Sequence, residues 1–202
     1  MTTTEGVVDR IATVERRTNE TNVSLTLRID GTGAAAVSTG VGFYDHLLTS
    51  FAHHGLFDLE VTANGDTHVD EHHTVEDVAL VLGSAFAEAL GDRAGIQRFG
   101  DAVVPMDESL ASAVVDIGGR PYAVIDLSFR GDRVGELSVQ LIEHAIEAFA
   151  RTAAATIHVR GTGRNDHHLA EAAFKALARA VRQACERDPR RSGIASTKGS
   201  FG

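Results

Sequence analysis

Residues 70–77 read DEHHTVED, and the histidine pair returns in residues 166–173, DHHLAEAA, 95 positions on from His72 to His167. In both stretches a glutamate follows the first histidine by four places: His72 with Glu76, and His167 with Glu171. Helix residues four apart lie nearly above one another, whereas neighbours point about 100° apart. His72 and Glu76 can therefore share one ion while His73 is aimed elsewhere. The same holds for His167, Glu171 and His168. Asp77 could pair with His73 in the same way, but its counterpart is Ala172, so it is not counted as a ligand.

The repeat extends outward from the pairs. FYDHLLTSFAHHG (43–55) aligns with LIEHAIEAFARTA (141–153), matching His46 to His144 and Phe51-Ala52 to Phe149-Ala150. Both segments carry apolar residues at helical spacing. A short alternating run follows each, FDLEVTA (57–63) and ATIHVRG (155–161), which reads as a strand. A long helix closes each copy: VEDVALVLGSAFAEAL (75–90) before Gly91, and LAEAAFKALARAVRQAC (169–185). From single histidine to pair is 26 residues in one copy and 23 in the other, a difference that a loop before the second helix absorbs. Upstream alternations, VSLTLRID (23–30), SLASAVVDI (109–117) and YAVIDLSF (122–129), add strands. The expectation is an α+β chain of duplicated half-domains, each a sheet with two helices on one face. The first half-domain is expected at 1–97 and the second at 98–187, with the join near Gly95–Gly100. Residues 188–202 form a low-complexity tail whose plainest reading is a frayed terminus.

One helix cannot close a metal site. If a pseudo-twofold axis relates the halves, one ion would take His72, Glu76, His144 and His168, and the other His167, Glu171, His46 and His73. Each set holds three nitrogens and one carboxylate, leaving a six-coordinate ion two positions for substrate or water. Nothing in the spacing requires the ligands to come from one subunit. A lone HHxxE is usually a satisfied or solvated group, or serves the helix dipole. Here six of the ten histidines occupy matched positions, which favours metal. Imidazole with carboxylate suits Mn, Fe, Zn, Ni or Co alike.

Composition bounds the rest. The chain has 202 residues, a formal net charge of −9 and no basic run, which argues against nucleic acid as a partner. The single Cys185 excludes an internal disulfide and reads as a buried structural thiol. MTTTEGVVDR (1–10) lacks the pattern of a secretion signal, and no apolar stretch is long enough for a bilayer. A soluble cytoplasmic protein with no membrane partner is expected.

GFYDHLL…HGLFDL (42–59), DEHHTVEDVALVLG (70–83), GIQRFGDAVVPMDESL (95–110), DIGGRPY (116–122), NDHHLAEAAFKALARA (165–180) and STKG (196–199) together resemble the imidazoleglycerol-phosphate dehydratase family. The resemblance runs from about Arg16 to the C-terminus. It implies a hydro-lyase of histidine biosynthesis that converts imidazole glycerol phosphate to imidazole acetol phosphate with two manganese ions per active site. It also implies half-domains resembling ribosomal protein S5 domain 2, and homo-oligomers of about 24 subunits with sites at subunit boundaries. Thr49-Ser50 departs from the Asp-Gln pair that many relatives carry there, and His53 has no clear family counterpart.

The proton to be lost lies on a carbon with no adjacent carbonyl. Metals on the imidazole nitrogens would stabilise an imidazolate that expels the neighbouring hydroxyl, leaving a diazafulvene whose C–H is acidified. Glu20 matches a family glutamate near the substrate and is the first candidate for moving the proton; His54 and Glu171 compete with it. Arg98, Arg120, Lys175, Ser196 and Lys198 match family substrate contacts, and the tail is then a lid over the phosphate. The expected substrate-facing set also includes Glu20, His46, His54, His72 and Glu76. A two-metal hydrolase, a metal-storage module and an S5-like RNA binder are the rival readings, to be separated by products, open coordination positions and charge.

Overall fold

The computed structural model describes residues 9–201; the opening MTTTEGVV lies outside them. Two four-stranded sheets enclose four helices. The first half contributes β1 (Ile11–Arg17), β2 (Thr21–Arg28), β3 (Ala35–Ser38), α1 (Gly42–Gly55), β4 (Asp58–Gly65) and α2 (His72–Leu90). The second contributes β5 (Phe99–Met106), β6 (Ser109–Asp116), β7 (Tyr122–Leu127), α3 (Val139–Ala153), β10 (Thr156–Thr162) and α4 (Asp166–Cys185). A small hairpin of β8 (Arg133–Val134) and β9 (Leu137–Ser138) precedes α3. The sheet orders, β1-β2-β4-β3 and β5-β6-β10-β7, are the same, and in each the last pair is parallel. The duplication read from the histidines is thus a duplication of topology.

Strand alternation puts one face of each sheet on the helices. In β2, Val23, Leu25 and Leu27 point inward, and in β6, Ala111, Ala113 and Val115 do so, with polar or exposed residues between them. α2 covers β1 and β2, while α4 covers β5 and β6. The helices then meet back to back across the halves: α1 packs on α4, and α2 on α3. Phe51, Phe86 and Phe149 interlock at this seam with ring centroids 5.6–6.0 Å apart. The three-residue difference in repeat length sits where expected. Six residues, 66–71, join β4 to α2, and three, 163–165, join β10 to α4.

The caps repeat as well. α1 and α3 both end on a left-handed residue ten positions after their histidines, Leu56 at φ 55° and Ala154 at φ 49°. The following amides, Phe57 and Ala155, donate to Ala52 and Ala150, which satisfies carbonyls at the helix end. Arg93 is buried and donates to the carbonyls of Ile117, Ala153 and Ala154, closing the end of α3 with a cation. The tail does not fray at its start: Asp188 N donates to Gly95 O, Gln97 N to Glu186 O and Gly95 N to Gly193 O. The segment around the join of the halves is therefore strapped by the tail. Cys185 is buried, and burial pushes its thiol pKa up. No described helix is long and apolar enough to cross a membrane.

Gly83 decides how close α2 and α3 come. A Cβ there would lie 2.5 Å from Phe149 O and 2.8 Å from Ala153 N, and Thr152 Oγ1 already donates to Leu80 O at 2.8 Å across the same contact. Helix propensity alone favours alanine by roughly 1 kcal/mol, but backbone cannot yield cheaply to an inserted methyl. Gly83→Ala is expected to lower the unfolding free energy by about 1–3 kcal/mol, read from urea denaturation of the metal-free protein. A stabilised variant would show that the seam is looser than this packing.

Candidate metal centres

The back-to-back helix pairs bring single histidines onto paired ones. His46 of α1 meets His167 and Glu171 of α4, and His144 of α3 meets His72 and Glu76 of α2; in each trio the ligand atoms lie within 4.8 Å of one another. Each trio thus takes its single histidine from the half opposite to its pair.

The α1–α4 trio is closely hydrogen-bonded. His46 Nε2 and His167 Nε2 each lie 2.9 Å from Glu171 Oε1, and Lys175 Nζ sits 2.6 Å from Glu171 Oε2. Burial raises the pKa of Glu171, but Lys175, His46 and His167 outweigh it and hold the carboxyl at about 2. Phe43 lies against both rings, with centroids 6.0 Å from His46 and 5.0 Å from His167. The α2–α3 trio is looser. His72 Nε2 is 3.8 Å from Glu76 Oε2, and His144 Nε2 is 3.5 Å from Glu76 Oε1, with the two rings stacked at 5.1 Å. Arg151 donates to Glu76 Oε1 at 2.9 Å. Sequence reasoning missed Arg151; the available signal was its place seven residues after His144, on the same face of α3.

His144 Nε2 is buried and has no hydrogen-bond partner among the described residues. A buried imidazole nitrogen left without a partner costs free energy, and it points at a carboxylate and a second imidazole. Two imidazoles and a carboxylate at this spacing suit a divalent cation with bonds of roughly 2.0–2.2 Å after small side-chain adjustments. The residues present fit a metal.

His73 and His168 stay outside the trios within one chain. Their rings stand at 84° and 83° to those of His72 and His167, and the helical rotation between neighbours starts the side chains of each pair in different directions. His73 Nδ1 lies 3.1 Å from Asp66 Oδ2, and His168 Nδ1 lies 2.9 Å from Glu108 Oε2. Asp77 is occupied elsewhere: it is buried and accepts from Arg16 Nε at 2.8 Å and from Thr21 Oγ1, tying the β1–β2 hairpin to α2.

Glu20 sits exposed in the turn between β1 and β2, and its carbonyl accepts from Asp66 N at 3.1 Å. His54 lies in the last turn of α1, where burial and then the charge of Lys175 lower its pKa, so the ring is neutral near pH 7. The segment joining β7 to α3 gathers the N-termini of the helices. Glu136 Oε1 accepts from Phe43 N of α1 at 2.9 Å, Arg133 pairs with Glu71 ahead of α2, and Asp166 of α4 accepts from Arg130 N and Gly131 N. Sequence periodicity gave no sign of this hairpin.

The cations that match phosphate contacts lie at the far end of the second sheet. Arg98 is held by Asp116 through Nε at 2.7 Å and Nη2 at 3.0 Å, and donates to Ala195 O of the tail at 2.7 Å. Its guanidinium also lies over the rings of Phe99 and Phe201. Arg120 has a side chain 68% exposed and approaches Asp116 only at 3.9 Å. Ser196 Oγ accepts from Lys198 N, and the Lys198 side chain is exposed. Glu108, beside His168, immediately precedes β6, and Asp116 ends it. Eight residues of strand at about 3.3 Å each separate the two ends by roughly 26 Å.

Comparisons with known proteins agree with this architecture. The family model described as imidazoleglycerol-phosphate dehydratase matches residues 39–181. An imidazoleglycerol-phosphate dehydratase of Gluconacetobacter diazotrophicus is 53% identical over 94% of this chain and 97% of its own length. One from Thermobifida fusca is 55% identical over 96% and 100%. Among solved structures, that of the Pyrococcus furiosus enzyme superposes with a TM-score of 0.81 at 35% identity, covering 93% of this chain and 99% of its own. The Staphylococcus aureus enzyme gives 0.78 at 36% identity, over 88% and 99%. The chain belongs to the imidazoleglycerol-phosphate dehydratase family of hydro-lyases.

Proposed function

We propose that this chain dehydrates imidazole glycerol phosphate to imidazole acetol phosphate in histidine biosynthesis, in the cytoplasm, with two manganese ions per active site. The observation that carries the reading is the pair of matched trios, one of which leaves a buried histidine nitrogen unpartnered. His46, His167 and Glu171 would hold one ion and His72, Glu76 and His144 the other, with His168 and His73 of neighbouring copies completing the sets. When bound, the cations would stabilise negative charge on the substrate's imidazole ring, which makes expulsion of the adjacent hydroxyl feasible.

The chain's own groups divide the remaining work. Loss of the hydroxyl together with the ring N–H proton, as water, leaves a diazafulvene; the carbon beyond it must then give up a proton, and the ring regain one, to form the enol that tautomerises to the ketone. Glu20 is an exposed carboxylate whose own carbonyl meets Asp66, the residue that contacts His73, and it is suited to carry that proton. Glu171 stays ionised throughout the neutral range, so it can bind a cation or accept a proton but cannot donate one. His54, neutral near pH 7, is an acceptor of the same kind. Arg120 and the exposed Lys198 offer the least committed charges for phosphate, while Arg98 works with Asp116 to seat the tail that carries Ser196 and Lys198. Lys175 is paired to Glu171 and would be available to substrate if Glu171 held a cation.

A separation of roughly 26 Å along β6 exceeds the reach of one small phosphate ester. The cation end and the histidine end can act on a single substrate only if they come from different copies, which supports a homo-oligomer with sites at subunit boundaries. Assembly of about 24 subunits is the family's pattern and our proposal for this chain. The outer face of the second sheet also has a surface that association would cover: Phe99, Val103, Leu110, Val114 and Tyr122 are each half or more exposed.

Turnover of imidazole glycerol phosphate should vanish on chelation and return with manganese. Full activity in the chelated protein would refute the reading. A second expectation concerns Glu171 without metal. Its folded pKa of about 2 lies below the ordinary 4.5, so it contributes stability above the ordinary value that is lost as pH falls from 4.5 toward 2. In metal-free protein, Glu171→Gln should therefore flatten the loss of urea resistance between roughly pH 5 and pH 3. An unchanged slope would mean that the carboxylate is not held by Lys175 and the two histidines.

A further inference from the structure

The two half-domains use matched carboxylates for different ends. Register aligns them: Thr21 pairs with Gly65 across β2 and β4, and Ser109 takes the same place opposite the residue after Thr162, Gly163, across β6 and β10. Glu20, just before Thr21, is therefore the structural counterpart of Glu108, just before Ser109. In the second half Glu108 is fully engaged. One oxygen accepts from Arg164 N at 3.2 Å, Asn165 N at 2.8 Å and Ser109 Oγ at 3.2 Å, and the other meets His168 Nδ1 at 2.9 Å. In the first half Glu20's carboxylate makes no hydrogen bond among the described residues, and Asp66 meets His73 Nδ1 instead. Asp66 opens the loop that is three residues longer in this copy.

Resting on the proposed function, we propose that Glu108 and Asp66 are positioning residues. Each holds the second histidine of its pair as the Nδ1–H tautomer and aims Nε2 out of the chain, toward a cation held by a neighbouring copy. The longer loop, by supplying Asp66, releases Glu20 from that task and leaves it for substrate. A carboxylate hydrogen-bonded to the far nitrogen of a ligating histidine fixes ring orientation and raises its basicity, and its loss typically costs 10–100-fold in metal affinity. The grouping of Asp107, Glu108 and His168 is then not a cation site of its own. Glu108 already accepts from four donors, and Asp107 is 3.8 Å from His168 with its side chain 79% exposed.

The test is manganese binding by the assembled full-length protein, by calorimetric titration, with circular dichroism as the check on folding. Glu108→Gln and Asp66→Asn are each expected to weaken one class of site about 10-fold or more. Glu20→Gln, at the position equivalent to Glu108, should bind manganese as the wild type does and lose turnover. His168→Ala and His73→Ala serve as controls and should each abolish one class of site. If the histidine variants lose sites but Glu108→Gln and Asp66→Asn bind normally, the positioning role is overturned while the proposed function stands. If Glu20→Gln weakens binding as much as Glu108→Gln, the division of labour is overturned. If the histidine variants bind normally, the ligand assignment fails and this inference falls with it.

Discussion

The seam between helices of opposite halves is the contact on which the rest depends. α1 lies on α4 and α2 on α3, so both helix-borne trios of candidate ligands are assembled by packing between the duplicated units. Neither half could build a trio from its own helices. Small residues let the elements close: Gly83 meets the α3 backbone, and Gly100 of β5 meets the α4 backbone at Ala180 and Ala184. Aromatic side chains from α1, α2 and α3 fill the remaining space at the centre. Hydrophobic packing therefore sets the separation of the candidate ligand imidazoles, and the polar cluster inherits its geometry from an apolar interface.

Much of this was legible because it is periodic. The repeated HHxxE, the single histidines at matched offsets and the alternating runs flanking them carry the duplication, the four helices and most strands. Helical rotation also says that the members of each pair point apart, and in each pair they meet different partners. What the sequence could not say is where they point. Asp66 and Glu108 lie in loops seven and sixty positions away from the histidines they hold, and no periodicity links such residues. The β8–β9 hairpin was hidden for a related reason. Two-residue strands are too short to show alternation, and Glu136 acts on the start of α1 across 93 positions. The tail looked dispensable by composition, yet its backbone pairs with the segment from Gly95 to Gln97.

Duplication followed by divergence explains the unequal trios. Glu171 is gripped by Lys175 from its own helix, whereas Glu76 meets Arg151 from the facing one. Leu80 stands where a counterpart of Lys175 would be, so the cation had to come from α3. Each trio's carboxylate thus has a cation beside it, supplied by a different route. The same division runs through the hairpin turns, where Glu108 is locked and its twin Glu20 makes no side-chain hydrogen bond among the described residues.

In the proposed function one chain carries two ends of an active site, too far apart to serve the same substrate molecule. Complementation between inactive chains tests it directly. Chains bearing Arg120→Ala would be dissociated and reassembled with chains bearing His72→Ala, and turnover of the mixture measured. Composite sites predict activity well above that of either variant alone, because some boundaries then pair an intact cation end with an intact histidine end. A mixture no more active than its parents would place the whole site within single chains and contradict the account.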